Sequence, residues 1–75
     1  MSSDIAFRRV GENEARVYQD GDYVGDVLRH DDILNRGAVF YVVHLSEDPR
    51  GPVRVHERRR VREVARHLLD THPLL

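Results

Sequence analysis

"ARVYQDGDYVGDVL", residues 15–28, sets an Asp-Gly pair between two runs in which apolar and polar side chains alternate. Alternation with period two belongs to a strand with one dry face, and Asp-Gly readily takes the positive φ values of a two-residue hairpin turn. The stretch therefore predicts an antiparallel hairpin folded at Asp20-Gly21, with Tyr18 opposite Tyr23, Val17 opposite Val24 and Arg16 opposite Gly25. Past Gly25 the pattern slips, because Val24, Val27 and Leu28 cannot share one face of a regular strand. A bulge at Gly25-Asp26 would absorb the mismatch.

A lone hairpin is marginal in water, so neighbouring segments must complete the sheet. Upstream, Ile5 to Val10 alternates weakly and reads as an edge strand ending at the Gly11-Glu12-Asn13 turn. Downstream, "HDDILNRG" (residues 30–37) reads as a connection with room for one helical turn, capped by Asp31 and stopped by Gly37. "AVFYVVHL" (residues 38–45) is apolar at seven of eight positions. Rich in β-branched and aromatic side chains, it is expected to be a central strand with both faces largely covered. "SEDPRG" is turn chemistry, and Val53 and Val55 alternate with Arg54 and His56 as in a strand with one wet face.

Val61, Val64, Ala65, Leu68 and Leu69 then fall at i, i+3, i+4, i+7 and i+8, an apolar helix stripe that Thr71, His72 and Pro73 bring to an end. The expected architecture is α+β: an antiparallel sheet of three or four strands packed on one C-terminal helix, ββββα or βββα. Residues 1–75 form a single small domain, since a chain of this length has material for one core only. One helix cannot cover two sheet faces, so the second face must be solvated, bind something or meet a second copy.

There is no cysteine to form a disulfide or thiolate site. Stability must come from apolar packing, and a reducing compartment fits. The stretch "MSSDIAFRRV" lacks the apolar run of an export signal and no segment approaches the ~18 apolar residues of a membrane span. A cytoplasmic protein without membrane contact is expected. All twelve basic residues are arginine, a bias expected of a GC-rich, prokaryotic genome. Residues 1–48 hold ten acids against five arginines and residues 49–75 three against seven, so parts of −5 and +4 lie behind the net charge of −1. Such a division allows head-to-tail pairing with a copy of the same chain.

The arginines crowd where the helix begins: Arg58, Arg59, Arg60 and Arg62 occupy four of five positions in "RRRVR". Placed against the positive end of the helix dipole, each opposes helix formation by about 0.3–1 kcal/mol at low salt. On a helical wheel Arg59, Arg62 and Arg66 make one ridge that Glu63 can partly neutralise, while the stem of Arg58 lies along the core edge and Arg60 sits with His67 on the opposite flank. No Ser, Thr, Asp or Asn lies between Gly51 and Asp70 to cap the first turn. Open N–H groups with Arg54, Arg58, Arg59 and Arg60 alongside would suit a phosphate or carboxylate. The plain alternative is a solvated helix face balanced by the acidic strands.

If Val17 and Val24 face the helix, Arg16, Tyr18 and Tyr23 share the other sheet face, joined by Arg54 and His56. Aromatic rings there could stack on bases while arginines meet phosphates. The Tyr18–Tyr23 pair is equally an ordinary cross-strand stabiliser. A Ser-His-Asp reading of His44, Ser46 and Asp48 fails, because side chains at i and i+2 stand parallel rather than converge. His67, Asp70 and His72 match metal spacing only loosely where the helix should be ending. The sequence therefore predicts a non-enzymatic binding module without metal or cofactor. Its anionic partner would be DNA or RNA first and an acidic protein surface second. The alternative is an interaction subunit or homodimer that buries Phe40 or Tyr41 on the sheet face.

Overall fold

The computed structural model of the chain describes residues 4–73. Strands β1 (Ile5–Gly11), β2 (Glu14–Gln19), β3 (Asp22–Asp31), β4 (Val39–Leu45) and β5 (Val53–Val55) precede a 3-10 turn at Arg58–Arg60 and helix α1 (Val61–Asp70). The strands lie in chain order in one antiparallel sheet. The α+β class is as expected, but there are five strands rather than three or four. The segment before the hairpin pairs from Ile5↔Gln19 to Gly11↔Glu14 with a bulge at Val10, and Val53–Val55 adds a short far edge.

Asp20 (φ 51°) and Gly21 (φ 91°) both take positive φ in the turn, and Tyr18 pairs with Tyr23 as the sequence predicts. Beyond that pair the expected register is corrected by one residue. Val24 is the extra residue of the bulge, so Val17 lies opposite Gly25 and Arg16 opposite Asp26. The cause is packing. A Cβ on residue 25 would come within 2.5 Å of the His44 carbonyl oxygen and 3.0 Å of Leu45 Cδ2. Only glycine fits between Val17 and Leu45, and the bulge must precede it.

The expected helical turn at residues 31–37 does not form. β3 continues to Asp31, and Asp32 organises the loop instead, with Oδ1 accepting from the Leu34 N–H at 3.1 Å and its carbonyl from the Asn35 N–H at 3.2 Å. An aspartate that bonds the backbone just ahead of it competes with helix formation. Nor is β4 covered on both faces. Val43 and Leu45 are buried toward the helix, whereas Phe40 and Val42 are half-buried and His44 is exposed on the far side.

The apolar stripe is as read: Val61, Ala65, Leu68 and Leu69 are buried and Val64 is half-buried against them. With Ile5, Val17, Val27, Val43, Leu45 and Val55 they make one core layer between sheet and helix. The α-helix begins at Val61, after the arginine run, which forms the 3-10 turn.

The far end of α1 is held by the turn after β4. Arg50 donates to buried Asp48 through Nε (2.9 Å) and Nη2 (2.7 Å), to the Leu68 carbonyl through Nη2 (2.7 Å) and to Thr71 Oγ1 through Nη1 (2.6 Å). Buried His72 lies 3.2 Å from the Ser46 carbonyl oxygen through Nε2. Hydrogen bonds from Arg50 hold the Asp48 carboxyl down at about 2, below its ordinary 3.8. Asp48 is thus an anchor for the helix end.

Ten residues of helix are about 15 Å long, whereas the ten residues of β3 extend for about 33 Å. The helix is thus about half as long as β3, and its core contacts are with one side of the sheet. Among the described residues no helix is long and apolar enough to cross a membrane.

Candidate functional site

Cross-strand register fixes what the uncovered face presents. Arg8, Arg16, Asp26 and His44 form one row across β1 to β4, and Glu14, Leu28, Val42 and Arg54 form another across β2 to β5. His30 pairs with Phe40. The rings gather into two clusters. In the first, Tyr18 and Tyr23 meet edge to face with centroids 6.0 Å apart, and the Arg16 guanidinium stands 5.8 Å from the Tyr23 centroid. In the second, Phe40 stacks on His30 at 5.4 Å, tilts against His56 at 6.3 Å and carries the Arg54 guanidinium 4.4 Å from its centroid.

Seven residue steps along β3 separate Tyr23 from His30, a span of about 23 Å. Between the clusters lie half-buried Leu28 and Val42. Asp26, the acidic group at mid-sheet, is flanked in register by Arg16 and His44 and accepts a 2.6 Å hydrogen bond from the Tyr23 hydroxyl. That bond to the carboxylate raises the Tyr23 phenol above its ordinary pKa. The face is thus aromatic and arginine-bearing, with Asp26 internally engaged and Glu14 exposed at its β2 end.

The residues singled out from sequence divide between two sides of the sheet. Arg16, Tyr18, Tyr23 and Arg54 share the open face as expected. The helix-start arginines do not form one ligand-facing ridge. Arg62 reaches back to the first strand, donating to the Ile5 carbonyl and lying 5.0 Å from the Phe7 ring centroid, so it fastens α1 to β1. Arg59 pairs with Glu57 at 2.9 Å and Arg60 approaches Glu63 at 3.8 Å, both in water. Glu63 thus meets Arg60, while Arg59 meets Glu57. Arg66 lines a shallow depression on the outer helix flank with Arg60 and His67. No side chain caps the 3-10 turn or α1, as the missing cap residues imply.

Arg58 points elsewhere. It borders a groove of about 480 Å³ on the helix side, beyond the start of α1. Phe7, Ala15, Val27 and Tyr41 supply its apolar lining, and Arg9 and Arg29 join Arg58 around it together with Glu12 and Glu14. Arg9 is spent on backbone, donating to the Gly11 and Glu12 carbonyls at 3.0 and 3.1 Å.

Sequence reading missed Arg8 and His30 as members of the aromatic face, and Arg9 and Arg29 altogether. It left open whether Phe40 or Tyr41 lies on that face; the structure places Phe40 there and Tyr41 at the groove. Phe40 had a usable signal: once Val43 and Leu45 face the helix, alternation sends Phe40 the other way. Arg9 and Arg29 had none, since three strands and a turn must assemble before they meet Arg58. Among the described residues no group of three or more His, Asp or Glu side chains is placed to hold a metal ion. No protein-family model, curated protein or solved structure matches this chain.

Proposed function

We propose that the chain is a non-enzymatic binding module that takes single-stranded nucleic acid on its open sheet face. The observation that supports this most is the pair of aromatic–arginine clusters about 23 Å apart on one uncovered surface. Bases have two π faces and stack on aromatic rings with little regard to sequence, while guanidinium groups meet the phosphates between them. Tyr23 and the His30–Phe40 stack would be the two stacking platforms. Arg8, Arg16 and Arg54 would contact the backbone, and Leu28 with Val42 would floor the strip between.

A net charge of −1 gives little long-range attraction. Binding would therefore rest on short-range stacking and a few phosphate contacts, with dissociation constants on the order of micromolar. Helix-start arginines have a smaller place in this reading than the sequence implied, because Arg62 holds the fold together and Arg58 faces the opposite side.

Fluorescence anisotropy with labelled oligonucleotides of about 12 nucleotides, DNA and RNA, tests the proposal. Three phosphate contacts predict a log–log salt slope of roughly −2 on single strands. Tyr23→Ala should weaken binding about tenfold through lost stacking, and Arg16→Gln with Arg54→Gln should flatten the salt slope. Absence of binding at low salt, or binding indifferent to all three substitutions, would overturn it.

A further inference from the structure

The loop between β3 and β4 holds two aliphatic side chains almost wholly in water: Ile33 is 93% and Leu34 97% exposed. Single exposed apolar residues are ordinary, but two neighbours fully presented at the tip of an ordered loop are not. This loop is built. Its ends are tied by the Asp32 N–H to the Ala38 carbonyl at 3.0 Å, the Ala38 N–H donates to the Asn35 carbonyl at 3.0 Å, and Gly37 closes the bend at φ 80°. The tip is flanked by Asp31 and Asp32 on one side and Arg36 on the other.

The groove described above has the complementary character. Its lining is half apolar, through Tyr41, Val27 and Phe7, and half polar, and Arg29 and Arg58 stand beside it with no carboxylate partner among the described residues. Asp31, Asp32 and Arg36 likewise form no ion pair among those residues. Glu12, also at the groove, is the group that Arg36 would meet. Loop and groove lie at the same end of the sheet: Arg29 is two residues before Asp31, and Tyr41 pairs with it two residues after the strand resumes at Val39. A patch carrying both a projection and its matching recess is self-complementary about a two-fold axis.

We infer that the occupant of this groove is the Ile33-Leu34 loop tip of a second copy of the chain, each protomer inserting its loop into the other's groove. Ile33 and Leu34 would cover Val27, Phe7 and Tyr41, while Asp31 and Asp32 meet Arg29 and Arg58. This interface lies on the helix side and leaves the aromatic sheet face free, so it stands independently of nucleic-acid binding.

Sedimentation equilibrium on the full chain tests it. The parent should reach a reversible monomer–dimer equilibrium at high micromolar concentration. I33S/L34S, altered only at side chains in water, should raise the dissociation constant about tenfold or more while the circular dichroism spectrum stays unchanged. R29E/R58E and D31R/D32R should each be monomeric alone, and an equimolar mixture of the two should regain association. A parent that stays monomeric, a dimer that survives I33S/L34S, or charge-reversed chains that do not associate when mixed would each overturn the inference. A monomeric parent whose groove resonances shift on adding inorganic phosphate would assign the groove to a small anion instead.

Discussion

Gly25 and Arg62 show how far a single side chain, or its absence, governs this fold. Gly25 lies between Val17 and Leu45 on the helix side, where an added methyl group would strike the His44 carbonyl and Leu45. Gly25→Ala should therefore cost about 1–3 kcal/mol by overpacking, readable as a lowered urea midpoint with an unchanged m-value. Arg62 gives a sharper contrast with sequence reasoning, which groups it with Arg59 as a ligand-facing residue. Its bond to the Ile5 carbonyl and its place over Phe7 predict that Arg62→Gln lowers stability by about 1–2 kcal/mol. Arg59→Gln, breaking only an exposed pair with Glu57, should change stability by less than about 0.5 kcal/mol. Equal midpoints for the two variants would contradict the clamp. Its partner is 57 positions away in the chain, which is why helical spacing alone could not separate Arg62 from its neighbours.

At the scale of elements, the hairpin and the helix were legible because their signals are local: Asp20-Gly21 dictates a turn, and five apolar residues at helical spacing dictate a buried stripe. Boundaries and irregularities were not. A bulge at Val24 and one at Gly25-Asp26 leave nearly the same apolar pattern, and only contact with β4 decides between them. Arg58–Arg60 could begin an α-helix or precede it as a 3-10 turn with the same residues. Residues 30–37 read as a connection with room for one helical turn, yet Asp32 bonds the backbone ahead and Ile33 and Leu34 stand in water. Leu68, buried in the stripe, should cost about 2–5 kcal/mol on replacement by alanine, seen as a large fall in Tm. The opposite end of α1 depends on Asp48. Its carboxyl titrates at about 2 when folded against an ordinary 3.8, so its contribution is complete above 3.8 and fades as pH falls through about 2. The Tm difference between the parent and Asp48→Asn should accordingly be largest at neutral pH and shrink across that acid window. A difference that grew on acidification would reverse the assignment.

For the whole molecule, one short helix on a long five-stranded sheet leaves two surfaces uncovered, and they differ in kind. The open face carries paired rings with arginines over them; the helix-side groove is half apolar, among charges. Sequence reading expected one anionic-ligand surface spanning helix start and sheet, because it could not tell that the sheet itself separates Arg58 from Arg16 and Arg54. Division of labour follows: I33S/L34S, which changes no charge, should weaken self-association and leave oligonucleotide affinity unchanged within about twofold, since the loop tip and the aromatic clusters share no partner. The most direct test of the central claim is backbone and side-chain NMR mapping during titration with a single-stranded oligonucleotide. The predicted result is saturable shifts at Arg16, Tyr18, Tyr23, Phe40, Arg54 and His56, with Val61 to Asp70 unmoved. Shifts confined to the helix and its arginines, or none at any residue at low salt, would contradict it.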